Sequence, residues 1–334
     1  MGKYIARRML MAIPVLIGLS MVLFAFVHLL PGDPATAILG QHATPERVKA
    51  MREYLHLDDP LWEQYLLYIN NLLHGDFGIS VINSQPVIKE FTTRFPATIE
   101  LTVAAMIFAA GVGIPLGRFA ARYAQRWPDG IVTVVSLLGI SIPVFVLGLT
   151  LGYVFGVQLD ILPVSGRIDP RAGLPVVTNF MMVDTLLAGR PDLLVDALLH
   201  LILPAITLGS IPLAIITRIT RASVLDVTNE DYVRTARAKG LKERRVDERH
   251  VMRNAWLPVV TVLGLQVGGL LAGAVITETV FVWGGVGRYT VEAINNRDYI
   301  VVQNTILMFA LIFLVVNLLV DVAYAFLNPR IRYS

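Results

Sequence analysis

Six long apolar runs, separated by polar or basic stretches, constrain this chain more than any motif in it. The first, Met9 to Leu30, has 22 residues and follows Lys3, Arg7 and Arg8. At about 1.5 Å per helical residue, a run of this length crosses about 30 Å of hydrocarbon. A cleaved signal peptide fits poorly, because the apolar part is too long and no small-residue cleavage site precedes Pro31-Gly32-Asp33-Pro34. Further spans are predicted at about 97–116, 131–157, 201–219, 257–282 and 300–325. The expected fold class is therefore all-α, a polytopic membrane protein with six transmembrane helices in a single domain over 1–334.

Composition agrees, with 55% hydrophobic and only 16% charged residues. The net charge of +3 is explained by basic loops beside the spans and gives no reason to expect nucleic acid as a partner. Membrane lipid is the expected surrounding. Basic residues fall at Lys3, Arg7 and Arg8, at Arg118, Arg122 and Arg126, at ten positions from Arg218 to Arg253, and at Arg330 and Arg332. With six spans these four sites lie on one side, which the positive-inside rule makes the cytoplasm, with both termini inside. The chain has no Cys, so disulfides, thiolate metal sites and cysteine nucleophiles are excluded.

The loop over 31–96 then lies outside, and it carries helical patterning of its own. Thr44 can cap a helix running to about Leu57, with Pro45 in its first turn, and a second helix is predicted over Leu61 to Leu73. Such a loop can be a lid over the spans or a contact surface for another protein. Asp58, Asp59, Glu278 and Arg288 are the candidate contacts at the outer mouth. Pro143 should kink the third span, and Leu193 to His200 forms an apolar amphipathic stretch suited to the membrane interface. In the fifth span Gly264 and Gly268, and Gly269 and Gly273, are each four apart, which permits close helix packing.

Between the fourth and fifth spans lies a polar, mostly basic loop, 220–256. Asn229 can cap a helix whose first turn carries Glu230 and Asp231, and the cations Arg234, Arg237 and Lys239 gather toward its C-terminal end. Gly240 can close that helix in the left-handed conformation. A second helix should follow from about Lys242. Two short helices held between spans would make a rigid knob that another protein can push.

The chain lacks an engine of its own. No Gly-x-x-x-x-Gly-Lys-Ser/Thr loop is present to cradle phosphates, no His-Glu-x-x-His or Gly-x-Ser-x-Gly occurs, and the six histidines are scattered. No catalytic constellation, cofactor site or metal site is expected. Ion coupling would leave charge at the membrane midplane. Glu278 lies 20 residues after Pro258, roughly 30 Å along the helix and so near the outer end of its span. Asp321 falls near the cytoplasmic end of the sixth, within reach of Arg330 or Arg332. A transporter with neither ion-coupling charges nor a nucleotide site takes its work from a partner.

The knob also carries a resemblance. Asp231-Tyr232-Val233-Arg234-Thr235-Ala236-Arg237-Ala238-Lys239-Gly240, followed by Arg253-Asn254-Ala255-Trp256-Leu257-Pro258, resembles the coupling loop of ABC importer permeases of the oligopeptide, dipeptide and nickel class. The general motif has Glu-Ala-Ala, three residues, Gly, and a later Leu-Pro. Here Arg234 and Thr235 replace the first two residues and the final gap is longer, as is usual for the peptide class. Leu57-Asp58-Asp59-Pro60-Leu61, Gly75-Asp76-Phe77-Gly78, Ser141-Ile142-Pro143, Leu162-Pro163-Val164-Ser165-Gly166-Arg167, Glu278-Thr279-Val280-Phe281, Gly285-Val286-Gly287-Arg288 and Asn328-Pro329-Arg330 extend the similarity over the whole chain.

The resemblance implies a type I ABC importer permease fold in a bacterial or archaeal cytoplasmic membrane. It implies a second homologous permease, two ABC ATPase subunits that bind the ATP, and a solute-binding protein outside. Asp231 to Gly240 would be the coupling helix, with Tyr232 and Ala236 as packing contacts in an ATPase cleft and Arg234 and Arg237 as polar ones. The implied cargo is di- or oligopeptides, with nickel chelates, glutathione or another small solute as the alternative. A passive channel is the reading from a different class, and it predicts transport without nucleotide.

Overall fold

The computed structural model describes residues 2–29, 35–36, 43–54 and 56–327. In chain order its principal helices are α1 (Gly2–Leu29), α2 (Pro45–Tyr54), α3 (Leu61–Leu73), α4 (Val87–Arg122), α5 (Trp127–Ser141) and α6 (Val144–Leu151), which runs into a π-helical turn at Gly152–Gln158. There follow α7 (Met181–Leu187), α8 (Pro191–Thr228), α9 (Asp231–Ala238), α10 (Glu243–Val246) with a π-helical turn at Asp247–Val251, α11 (Met252–Val280), α12 (Val286–Asn295) and α13 (Tyr299–Leu327). Among the described residues Arg7–Leu29, Val87–Arg122, Pro191–Thr228, Glu243–Val280 and Tyr299–Val322 are long and apolar enough to cross a membrane. The pair Trp127–Ser141 and Val144–Gln158 makes a sixth span if counted as one. The chain is an all-α polytopic membrane protein.

Over the third predicted span the helix is broken rather than kinked, its halves bent by 103°. Pro143 causes the break. It has no N–H to donate and pushes the preceding residue out of the helical region, and Ile142 is extended at φ −81°, ψ 124°. Where the sequence suggests a span over 201–219, α8 runs for 38 residues. Leu193 to His200 are accordingly its first turns, not a separate interfacial segment, because Pro191 at the start sets a helical φ and the helix continues through Pro204 and Pro212 to Thr228.

Contacts divide the chain into two compact units. The first comprises Met1–Phe95 and Tyr289–Leu314. In it Thr44 accepts from the Arg47 N–H at 3.4 Å, and α2 stops before the predicted Leu57 because His56 has a left-handed φ of 54°. The helix predicted over 61–73 has those bounds. Val87, Tyr289, Ala293, Val301 and Val302 form the apolar core of this unit, beside a buried 2.6 Å hydrogen bond from Ser80 to Asp298.

The second unit comprises Pro96–Arg288 and Val315–Ser334. Its core joins Leu101 and Ala105 of α4, Leu201 and Leu208 of α8, and Leu270 and Ala274 of α11. Small residues set the spacing. A Cβ on Gly117 or Gly209 would overlap backbone of the facing helix, and Gly264 leaves the space that Val320 of α13 occupies. Gly273 faces Leu208, whereas Gly269 has no atom within 4 Å. Near the start of α5 and the end of α8, Arg221 grips the buried Asp129 through two 2.6 Å hydrogen bonds.

Candidate coupling site

The loop between α8 and α11 is folded into a knob with its own apolar core. Asn229 does not cap α9. It closes α8, its N–H bonded to Asp226, while extended Glu230 occupies the cap position without a side-chain bond. Because α8 runs nine residues past 219, to Thr228, the cap position moves to Glu230 at the start of α9. Its first turn carries Asp231, where a carboxylate meets the positive end of the helix. The helix ends as predicted near Gly240, whose φ is +77°. The Gly240 N–H bonds to Arg237 and the Leu241 N–H reaches back to Ala236.

Periodicity sorts the residues of α9. Val233 and Ala236, three apart, face inward and pack with Val224, Val246, Val251 and Ala255. Ala236 is only 5% exposed, its packing neighbours lying within this chain. The outward face carries Asp231, with 97% of its side chain exposed, and Arg234, with 70%, held 3.6 Å apart, together with Thr235 and Lys239. Arg237 turns sideways to Glu243 at 2.8 Å, a hydrogen bond that raises the guanidinium pKa further. Tyr232 is partly exposed and its hydroxyl accepts from Asn254 at 2.7 Å.

The knob is tied to three spans. It continues directly from α8 and into α11, and Asp247 of its π-helical turn pairs with Arg118 near the end of α4 at 2.7 Å. Beside it lies a cleft of about 680 Å³ whose mixed lining includes Phe119 and Val251 as well as Arg118, Arg122, Arg237 and Glu243. The knob thus presents a charged outer face and is attached to α4, α8 and α11. Among the described residues no group of acidic and histidine side chains is arranged to hold a metal.

The candidate outer contacts separate into different surroundings. In the first unit Asp58 accepts from Arg52 at 2.7 Å and Asp59 meets His56 at 2.8 Å, so both aspartates shape the turn between α2 and α3 while staying accessible. In the second unit Glu278 is 0% exposed. Its carboxylate accepts from Thr98 at 2.6 Å and from the Arg288 N–H at 3.1 Å, so it is an internal brace and not a surface contact. Distance along a helix placed it near a span end but could not show what packs over it. Arg288 is half-buried. The partners suggested for Asp321 at Arg330 and Arg332 lie outside the described residues.

Thr98, Glu100, Arg167 and Trp283 are the residues that sequence reasoning missed. Arg167 donates to Glu100 at 2.6 Å and its guanidinium lies 5.8 Å from the Trp283 ring centre. The Trp283 indole N–H donates to the Ala97 carbonyl at 2.9 Å, and the Val286 N–H to Thr98 at 3.0 Å. A signal was present in the glycines, since a Cβ on Gly285 would overlap the Glu278 carboxylate and one on Gly287 would overlap the backbone of Val275.

Comparison with known proteins accounts for this architecture. Residues 113–333 match the family model described as binding-protein-dependent transport system inner membrane component. Residues 1–102 match the model for the N-terminal part of such membrane components. The chain is 49% identical over 338 residues to the dipeptide transport system permease protein DppB of Escherichia coli K12, with all of both chains covered. It is 45% identical to the protein of that name from Alkalihalophilus pseudofirmus, and 43% identical to the glutathione transport system permease protein GsiC of Escherichia coli K12, again over the full length of both chains. Full-length identity at this level, on a bundle of membrane-spanning helices, makes the chain a DppB-like permease subunit of an ABC importer and a member of the binding-protein-dependent transport system inner membrane component family.

Proposed function

We propose that this permease subunit carries di- or oligopeptides inward across a bacterial or archaeal cytoplasmic membrane, driven by ATP hydrolysed on partner subunits. It works as half of a path, in a type I importer arrangement with six spans in one transmembrane domain, and both termini in the cytoplasm. A second homologous permease supplies the other half, two ABC ATPases sit below, and a solute-binding protein delivers cargo outside. The observation that carries the coupling role is the division of α9, whose apolar residues are consumed by the knob's own core while Asp231, Arg234 and Lys239 remain on its surface. Closure of the ATPases moves this helix, and its roots in α4, α8 and α11 tilt the spans.

Peptide cargo is supported by the full-length likeness to dipeptide permeases. Glutathione, itself a tripeptide, is the second reading because a glutathione permease is nearly as similar. Proteoliposomes holding both permeases and the ATPases, with the binding protein and labelled dipeptides outside, test the proposal. Uptake should require ATP and the binding protein together. Uptake that persists without nucleotide would instead identify a passive channel.

A further inference from the structure

We infer that α3 is a lipid-embedded helix, its Trp62-Leu66-Leu73 stripe facing the outer leaflet with Trp62 at the interface and Leu66 and Leu73 among the acyl chains, and not against a solute-binding protein. The helix has two distinct faces. Gln64, Tyr65 and Tyr68 turn toward the rest of the first unit: Gln64 meets His28 at 3.0 Å, Tyr65 meets Ser20 at 2.9 Å, and Tyr68 donates to Asn304 at 3.4 Å. Among the described residues little covers the adjacent stripe. Trp62, Leu66 and Leu73 are 63%, 57% and 82% exposed, and with half-buried Ile69 they follow the i, i+4, i+7, i+11 spacing of one helix face. Glu63 is the one charged residue between Leu61 and Leu73.

Depth decides what covers the stripe. The residues of α1 that hold α3 are Ser20, Phe24 and His28, all inside the apolar span Arg7–Leu29. Counted back from Leu29 at 1.5 Å per residue, Phe24 lies about 7 Å and Ser20 about 13 Å below the end of that span. The rings of Tyr65 and Tyr68 are 5.4 and 6.1 Å from that of Phe24. A helix held at this depth presents its free face to hydrocarbon, below the level a water-borne protein reaches. The stripe is also continuous in character with α1, where Val22, Phe26 and Leu29 are equally bare. Gln64 sits beside His28 near the span end, so Trp62 falls at the interface, where indole rings are favoured, and Leu66 lies deeper.

The chain has no cysteine of its own, which makes the test direct. Single cysteines replacing Trp62, Leu66 or Leu73, with Lys49→Cys on α2 as an aqueous reference, are spin-labelled in the full-length protein in lipid nanodiscs. Collisions with oxygen and with a water-soluble nickel chelate are then measured. The oxygen-to-nickel ratio should be at least severalfold higher at Leu66→Cys and Leu73→Cys than at Lys49→Cys, intermediate at Trp62→Cys, and unchanged when solute-binding protein is added. Nickel collisions equal to the reference, protection from both reagents, or a loss of oxygen collisions on adding binding protein would each overturn the inference. The parental sequence offers an independent measurement. Quenching of tryptophan fluorescence by lipids brominated near the headgroup should fall in Trp62→Phe, and unchanged quenching would overturn it as well.

Discussion

The side-chain amide of Asn254 donates a 2.7 Å hydrogen bond to the Tyr232 hydroxyl, joining the knob's outward helix to the first turn of the span α11. A push on α9 therefore reaches α11 through a side-chain bond as well as through the chain. Tyr232→Phe removes the acceptor and keeps the ring. Because the pair is partly exposed, the stability cost should not exceed about 1 kcal/mol. The expected result is normal membrane insertion with fewer solute molecules moved per ATP hydrolysed. A parental ratio would take this bond out of the coupling route.

Ala236 and Arg234 should separate folding from docking. Ala236→Asp places a charge among Val233, Val246 and Val251, where an unpaired carboxylate costs several kcal/mol. It should loosen the knob itself, seen as rapid protease cleavage between α8 and α11. Arg234→Glu reverses a charge that is 70% exposed and should leave protease resistance unchanged while weakening ATPase binding at least tenfold. Equal protease sensitivity in the two variants would contradict the division of α9 into inner and outer faces.

Much of this was legible in the sequence, and the parts that were not share a cause. Long apolar runs announce membrane helices because hydrocarbon leaves the backbone no other partner. Pro143 and Gly240 announce their local geometry because one lacks an N–H and the other lacks a Cβ. The inward turn of Ala236 was hidden because Val246 and Val251, which cover it, lie ten and fifteen residues away. Asn229 was misread because capping propensity is local, whereas the end of α8 is fixed by packing. Glu278 looked like a surface residue for the same reason, since Thr98, which partners it at 2.6 Å, is separated by 180 residues.

Gly240 gives a test of conformation alone. A Cβ there meets no atom within 4 Å, yet φ is +77°. Gly240→Val should cost about 1 to 2 kcal/mol through backbone strain and misdirect the entry to α10. Asn tolerates the left-handed region. Gly240→Asn should therefore recover most transport and transport-linked ATP hydrolysis. Equal losses in both variants would mean that something other than backbone strain sets the requirement.

Glu278 should matter for integrity rather than for cargo delivery. Glu278→Ala removes the buried acceptor that the Thr98 hydroxyl and the Arg288 N–H now share. Each buried unsatisfied group costs about 1 to 3 kcal/mol. A clearly lowered melting temperature in detergent is expected, with a smaller fall for Glu278→Gln, which keeps an acceptor. Affinity of the correctly folded fraction for the binding protein should not change. A parental melting temperature combined with weakened binding would return Glu278 to the outer surface.

The central claim is that the exposed face of α9 seats on an ABC ATPase. In the cysteine-free chain, Arg234→Cys carrying a short photo-crosslinker, expressed with its transport partners in native membranes, tests it most directly. Mass analysis should find the adduct on an ABC ATPase subunit, with yield that changes when non-hydrolysable ATP is added. Uptake that remains ATP-dependent while Arg234→Cys yields no ATPase adduct would contradict the account.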